Sequence, residues 1–305
     1  MLSLVYITSR KEPHFDWFIN SLRREMRELG DGVPMPELIV IDFYHAQDRM
    51  PYGMGWVGPI KWASPKPTPI QGRYRLTDHD AFAASNARNT GLCLASGTYI
   101  VFVDDVSVLV NGWLAAAMEA MRENRIVCGA YRKVKELSVD DKGNITHWIG
   151  FEGGQDTRWK DARPSPTQCP AQWLYGCSFG IPVETLLSVN GFDEALDGLS
   201  FEDVCLGLRL EKAGHQLWYD QRMLTFESEE AHHIPGDEKF KRHNRPIEGY
   251  QDLAWEMLGW IKNNLPRARG TPDLRTIRND VLSGKPFPNH TGMFVFPDGK
   301  NLLGN

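Results

Sequence analysis

The first forty or so residues constrain the fold more than any later stretch. Leu4-Val5-Tyr6-Ile7-Thr8 is apolar, β-branched and aromatic, the make-up of a buried strand. From Phe15 to Leu29 the period changes: Phe18, Leu22, Met26 and Leu29 fall on one helical stripe, and Gly30 ends it. Glu37 to Asp42 is a second apolar strand, closing on a carboxylate. A strand–helix–strand opening implies parallel pairing and a sheet with helices on its faces.

The rest of the chain extends that pattern. Residues 46–76 are rich in Pro, Gly and Trp and read as a long loop of functional kind. A short helix is expected over about Ala81–Ala95, stopped by Gly97. A third strand, Thr98–Val103, runs directly into Asp104-Asp105. Asn111 is placed to cap a helix from Gly112 to Glu123. Residues 126–150 read as a strand and then a hairpin, with Val134–Val139 and Asn144–Trp148 flanking Asp140-Asp141-Lys142-Gly143. A second irregular loop covers 152–170. A helix over Phe201–Ala213 ends at Gly214, Leu217–Phe226 supplies the last strand, and a helical tail is expected over about Ile247–Asn264.

Bulk properties exclude several classes. The 305 residues, 42% hydrophobic and 24% charged, suffice for one large α/β domain. A net charge of -5 gives no global pull toward a polyanion, although residues 239–245 and 262–278 are basic. The five cysteines (Cys93, Cys128, Cys169, Cys177, Cys205) are odd in number and lack metal-site or redox spacing. They read as buried thiols of a reducing compartment. No segment has the length and apolarity of a membrane span, and the opening run reads as a strand rather than a signal peptide. The expected location is cytoplasmic.

Four groups carry chemistry. Asp104-Asp105 stands at the carboxyl end of a buried strand, where open α/β sheets bind ligands. Hard carboxylates there suit Mg²⁺ or Mn²⁺; a solvated strand end is the alternative. Ser85 to Gly91 places Arg88 on a short helix, as a phosphate contact or a partner of a local carboxylate. Glu202-Asp203 opens a helix whose expected buried stripe is Phe201, Val204, Cys205 and Leu208. Ser200 as N-cap and Asp203 at N3 nearly make a capping box, with Asp203 off the stripe and able to face a cleft. Glu227 to His233 follows the last strand and brings two histidines, potential metal ligands, in what is otherwise a polar loop.

In this order the segments resemble the family-2-type GT-A glycosyltransferases, over most of residues 3–235. The resemblance rests on Leu4–Thr8, the strand ending at Asp42, Ala87-Arg88-Asn89-Thr90-Gly91-Leu92, and Ala95 through Asp105. Further along come Asn190-Gly191-Phe192-Asp193-Glu194 and Phe201-Glu202-Asp203-Val204, with Gly207-Leu208-Arg209-Leu210 and Gly214 behind. It implies a GT-A (Rossmann-like) α/β fold with a mixed, mostly parallel sheet flanked by helices, and a helical C-terminal extension. Residues 1–110 would be the nucleotide-sugar-binding half, 111–235 the acceptor half and 236–305 the extension.

The implied activity is transfer of a hexose-like sugar from a nucleotide diphosphate donor, UDP favoured, to a saccharide or other hydroxyl acceptor. Thr8, Arg10 and Asp42 would surround base and ribose, Arg88 would approach the donor, and Asp104 would face ribose or sugar. Asp105 with His232 or His233 would hold Mn²⁺ or Mg²⁺. Asp203 would be the base of an inverting displacement, and Glu202 would orient the acceptor. The third acidic position of the family cluster is Val106, which removes a carboxylate from the metal shell, and Glu227 stands near a family histidine. Val106 keeps a non-catalytic nucleotide-sugar-binding module in view. The basic segments keep a nucleic acid acceptor in view. A nucleotidyltransferase would need a glycine-rich loop after the first strand, and Thr8-Ser9-Arg10-Lys11-Glu12-Pro13 has no glycine.

Overall fold

In chain order the strand β1 (Leu2–Thr8), the helix α1 (Phe15–Leu29) and the strand β2 (Glu37–Asp42) open the chain. They are followed by β3 (Ile60–Ala63), α2 (Ala84–Leu94), β4 (Tyr99–Asp104), β5 (Ser107–Leu109) and α3 (Trp113–Arg122). Next come β6 (Ile126–Val134), the hairpin β7 (Glu136–Val139) and β8 (Ile145–Ile149), and β9 (Thr167–Cys169). Then β10 (Ser178–Pro182), α4 (Val183–Ser188), α5 (Glu202–Lys212), β11 (Leu217–Ser228), α6 (Glu229–His232) and α7 (Leu274–Leu282) complete the order. This computed structural model describes residues 1–45, 55–68, 83–150, 155–160, 166–197, 201–232, 268 and 271–288.

Among the described residues one nine-stranded sheet runs β3-β2-β1-β4-β10-β6-β11-β5, with β9 on the side of β11. The pairs β3–β2, β2–β1, β1–β4 and β6–β11 are parallel. β10 is antiparallel to both neighbours, and it joins the strands before Asp104 to those after Ile126 in one sheet. The opening β-α-β is as the periodicity predicts. Every residue of β1 and β2 is buried, as befits strands covered on both faces. Phe15, Phe18, Ile19 and Leu22 of α1 pack with Tyr6, Val40, Val101 and Val103 on one face of the sheet. Truncating Leu22 there to Ala would cost about 2–5 kcal/mol. The other face buries Ile7, Ile41, Phe102, Phe179 and Phe192.

Two sequence motifs fit together physically. Asn89 donates from Nδ2 to the Phe192 carbonyl at 2.9 Å, and the Phe192 N–H returns a bond to Asn89 Oδ1 at 2.9 Å. Both oxygens of Asp197 accept from the N–H groups of Ser85 and Asn86, so a remote carboxylate satisfies the start of α2. A Cβ on Gly91 would lie 2.5 Å from Val5, which is why α2 can press so closely on β1.

Several local expectations change. The predicted loop 46–76 contains β3, an edge strand flanked by Pro59 and Pro65; its four residues are too short to announce a period. α3 begins after Gly112 (φ 91°), and Asn111 instead donates to Glu28. α5 starts at Glu202 with Phe201 at φ 65° and no side-chain cap, so Asp203 is the second helical residue rather than N3. Its buried face is Cys205, Leu206, Arg209 and Leu210, turned from the expected stripe because Gly207 abuts the Ala171 carbonyl. Ser200 lies outside the described residues, as do residues 233–267 with the expected helical tail, the basic segment 239–245 and the start of the basic segment 262–278. α7 packs on α2, with Leu274 and Ile277 in the core. No helix among the described residues is long and apolar enough to cross a membrane.

Candidate active site

β1, β2 and β4 run in parallel and end together: Thr8 stands opposite Asp42, and Ile7 opposite Asp104. This shared carboxyl edge is where an open α/β sheet offers a crevice. Thr8 Oγ1 donates to Asp105 Oδ2 at 2.7 Å, and Arg10 Nε donates to Asp105 Oδ1 at 3.0 Å. The Arg10 N–H closes the turn on Thr8 Oγ1 at 3.1 Å. Burial pushes the Asp105 carboxyl up, against the pull of Arg10 and Thr8. Beside this cluster a cavity of about 360 Å³ is lined by Tyr6, Thr8, Lys11, His14, Asp42 and Trp62, among others. Aromatic and polar walls of this size suit a nucleoside base.

Arg88 ties the two acidic pairs together. Its Nη2 donates to Asp104 Oδ1 at 2.8 Å and its Nη1 to Glu202 Oε1 at 2.8 Å. The side chain is only 2% exposed, against 30% for Asp104. Burial alone would lower its pKa, but the charges of Asp104, Glu202 and Asp203 raise it. Gly176 makes room: a Cβ there would lie 2.1 Å from Arg88 Nη2. The same glycine donates its N–H to Asp203 Oδ2 at 2.9 Å, and the Val204 N–H donates to Asp203 Oδ1 at 2.7 Å. Burial first, then the charge of Glu202, pushes the Asp203 carboxyl up to about 7, over the opposing pull of Arg88 and the two N–H groups. A carboxylate poised near neutrality is suited to general-base work.

The third group approaches from β11. Glu227 pairs in register with Ser107 of β5 and Lys133 of β6. Burial, with the charges of Asp104, Asp105 and Glu229, pushes its carboxyl up to about 8, while Lys133 pulls it down. Val106, at the third acidic position, is fully buried with φ 52°, an unusual conformation for a β-branched residue. Its N–H donates to the Pro13 carbonyl at 3.2 Å. Among the described residues no three His, Cys, Asp or Glu side chains converge as a metal shell. His232 closes α6, but its side chain, like all of His233, lies outside the described residues.

Thr8, Arg10, Asp104, Asp105, Arg88, Glu202 and Asp203 thus form one chain of contacts, with Asp42 across the strand from Thr8. Arg88 is deeper than its sequence reading suggests, because two carboxylates close over it. Gly176, Lys133, Lys11 and Trp62 were not singled out for the site. A glycine between Tyr175 and Cys177 carries no spacing signal, and the other three belong to segments without chemical patterning.

Comparison with known proteins bears on part of the sequence and on the fold. Residues 69–191 match the model of glycosyl transferase family 2. The chain has the GT-A fold. It is similar to a crystal structure of GalNAc-T7 with UDP, GalNAc and Mn²⁺ (TM-score 0.52, 13% identity, covering 94% of this chain and 58% of that one). It is also similar to S. aureus TarS 1-349 in complex with UDP-GlcNAc (TM-score 0.57, 12% identity, 92% and 73% covered). A further structure of S. aureus TarS matches at a TM-score of 0.51 and 14% identity, with 88% and 44% covered. The chain therefore spans 58% of the first of these proteins and less than half of the last. Among curated proteins no sequence matches significantly.

Proposed function

We propose that the chain is a glycosyltransferase that moves a sugar from a UDP sugar to an acceptor hydroxyl with inversion, Asp203 serving as base. The observation that carries this reading is the Asp104–Arg88–Glu202 bridge, which joins the carboxyl edge of the parallel strands to a half-buried carboxylate, Asp203, held near neutral pKa. Thr8, Asp42 and Trp62 border the cavity suited to the base. Asp104, a third exposed beside it, faces ribose or sugar. The acceptor oxygen attacks the anomeric carbon, the bond to the diphosphate breaks with its electron pair, and the acceptor proton passes to Asp203. Glu202 orients the hydroxyl from the far arm of Arg88, and Arg88 acts by positioning both carboxylates. The similar structures of GalNAc-T7 with UDP and of TarS 1-349 with UDP-GlcNAc support a UDP donor.

Mn²⁺ or Mg²⁺ is the counter-ion that the resemblance implies. The described side chains fit it poorly: both oxygens of Asp105 already accept bonds, and Val106 brings no ligand. The test is a panel of nucleotide sugars scored by thermal shift and by transfer to simple acceptors. A UDP sugar should stabilise the protein and be consumed, and inertness toward every donor would sink the reading.

A further inference from the structure

We propose that Lys133 is the cation that meets the diphosphate of the donor, at the position where a divalent metal is otherwise expected. The inference rests on the reading of the donor as a nucleotide diphosphate sugar. A diphosphate cannot approach Asp104, Asp105, Glu227 and Glu229 without a positive charge between them. Among the described residues, three basic side chains near these carboxylates have differing surroundings. Arg88 is 2% exposed and bonded to Asp104 and Glu202. Arg10 is 12% exposed and bonded to Asp105. Lys133 is 32% exposed and pairs with Glu229 at 3.5 Å, a loose ion pair. It has the most exposed surface of the three.

The backbone explains its location. β6 and β11 run in parallel, so Lys133 stands beside Glu227, and Glu227 stands beside Ser107, three residues beyond Asp104. Burial would lower the lysine pKa, but Glu227, Glu229 and Asp104 hold it above its ordinary value, so the ammonium stays charged. An ammonium is a compact point charge with three donors on a flexible stem, able to turn from a carboxylate 3.5 Å away to a phosphate oxygen. The leaving UDP gains negative charge as the glycosidic bond breaks, and a cation already held there stabilises it without a metal. The departure at Val106 then has a reason: a metal ligand can be absent where a lysine takes over the metal's role.

The test uses the full chain and UDP as probe, with affinity measured by calorimetry in EDTA and again with Mn²⁺. UDP should bind in EDTA, and Lys133→Met should weaken it by about tenfold or more, the value of one charge-assisted hydrogen bond. Lys133→Arg should restore most of the affinity. Binding of UDP only with Mn²⁺, or undiminished binding by a folded Lys133→Met, overturns the proposal and leaves the transferase reading standing. If Lys133→Met fails to fold, the wild-type comparison of EDTA with Mn²⁺ decides alone. Absence of UDP binding by the folded wild type under both conditions overturns the transferase reading, and this proposal with it.

Discussion

Two groups of carboxylates meet the same short helix, α2, and they are treated differently. Around Glu194, Lys66 Nζ donates to Oε1 at 2.5 Å, Asn89 Nδ2 to Oε1 at 2.9 Å and Thr68 to Oε2. Lys66 also donates to Asn86 Oδ1 at 2.9 Å, and neither member of the ion pair has any exposed side-chain surface. Around Asp203 the hydrogen bonds come from two backbone N–H groups, and Arg88, the nearest basic group, gives its bonds to Glu202 and Asp104. Glu194 lies in a fully answered network that joins loop 64–68 to α2 and to the Asn190–Glu194 segment. Asp203 is half-buried, crowded by Glu202, and among the described residues bonded to backbone N–H groups rather than to a cation. The first setting fixes its carboxylate in place, whereas the carboxylate of the second can trade a proton.

The widest separation between the clusters should come from Asp203→Asn. Loss of a general base costs about 10²–10⁴ in rate, so transfer should fall by that factor while UDP-sugar affinity stays near wild type. Normal turnover by the variant would remove the distinction drawn here. Lys66→Met should act on folding instead. It leaves Glu194 buried without its cation, at a cost of about 3–5 kcal/mol in urea unfolding. Replacing both partners by apolar residues, Lys66→Met with Glu194→Leu, should recover much of that loss despite the orphaned Thr68 and Asn89 donors. A single variant of wild-type stability would mean that this cluster is not the fixed one.

Much of the fold and half of the site were legible in the sequence, for a reason that can be stated residue by residue. Strands and amphipathic helices announce themselves by period, so β1, α1, β2, β4 and the β7–β8 hairpin follow from the order of apolar residues. The ordered motifs are readable because they touch: Asn89 holds Phe192, and Arg88 holds Glu202. What stayed hidden depends on partners distant in sequence. Gly176 matters because Arg88 occupies the space of its missing Cβ, and Lys133 because a parallel register sets it beside Glu227. Edge strand β3 and the turned face of α5 were hidden likewise, since tertiary contacts, and no local pattern, decide them.

Gly176→Ala sharpens the comparison at the second cluster with a smaller effect. The new methyl group would meet Arg88 Nη2 at 2.1 Å. Arg88 must shift, and overpacking of this kind costs about 1–3 kcal/mol. Because the same N–H orients Asp203, the loss in kcat should exceed the loss in donor affinity. A variant that lost only stability would separate the glycine from the chemistry.

The smallest expected effect is on the pH dependence of stability, and it tests the proton on Asp203 directly. The folded carboxyl titrates at about 7 and an ordinary one at 3.8, so between these values the native state keeps a proton that the unfolded chain has lost. Protonation therefore favours folding, fully below the ordinary value, and this contribution disappears as pH rises through about 7. Glu227, pushed up to about 8, adds a slope of the same sign. Urea unfolding of wild type should show stability falling between about pH 5 and about pH 8, with a shallower fall in Asp203→Asn. Transfer should run the opposite way, rising with pH as Asp203 loses its proton and can accept one from the acceptor. Parallel slopes in wild type and Asp203→Asn would mean that the cleft carboxylate is as fixed as the structural one, and the base would have to be sought elsewhere.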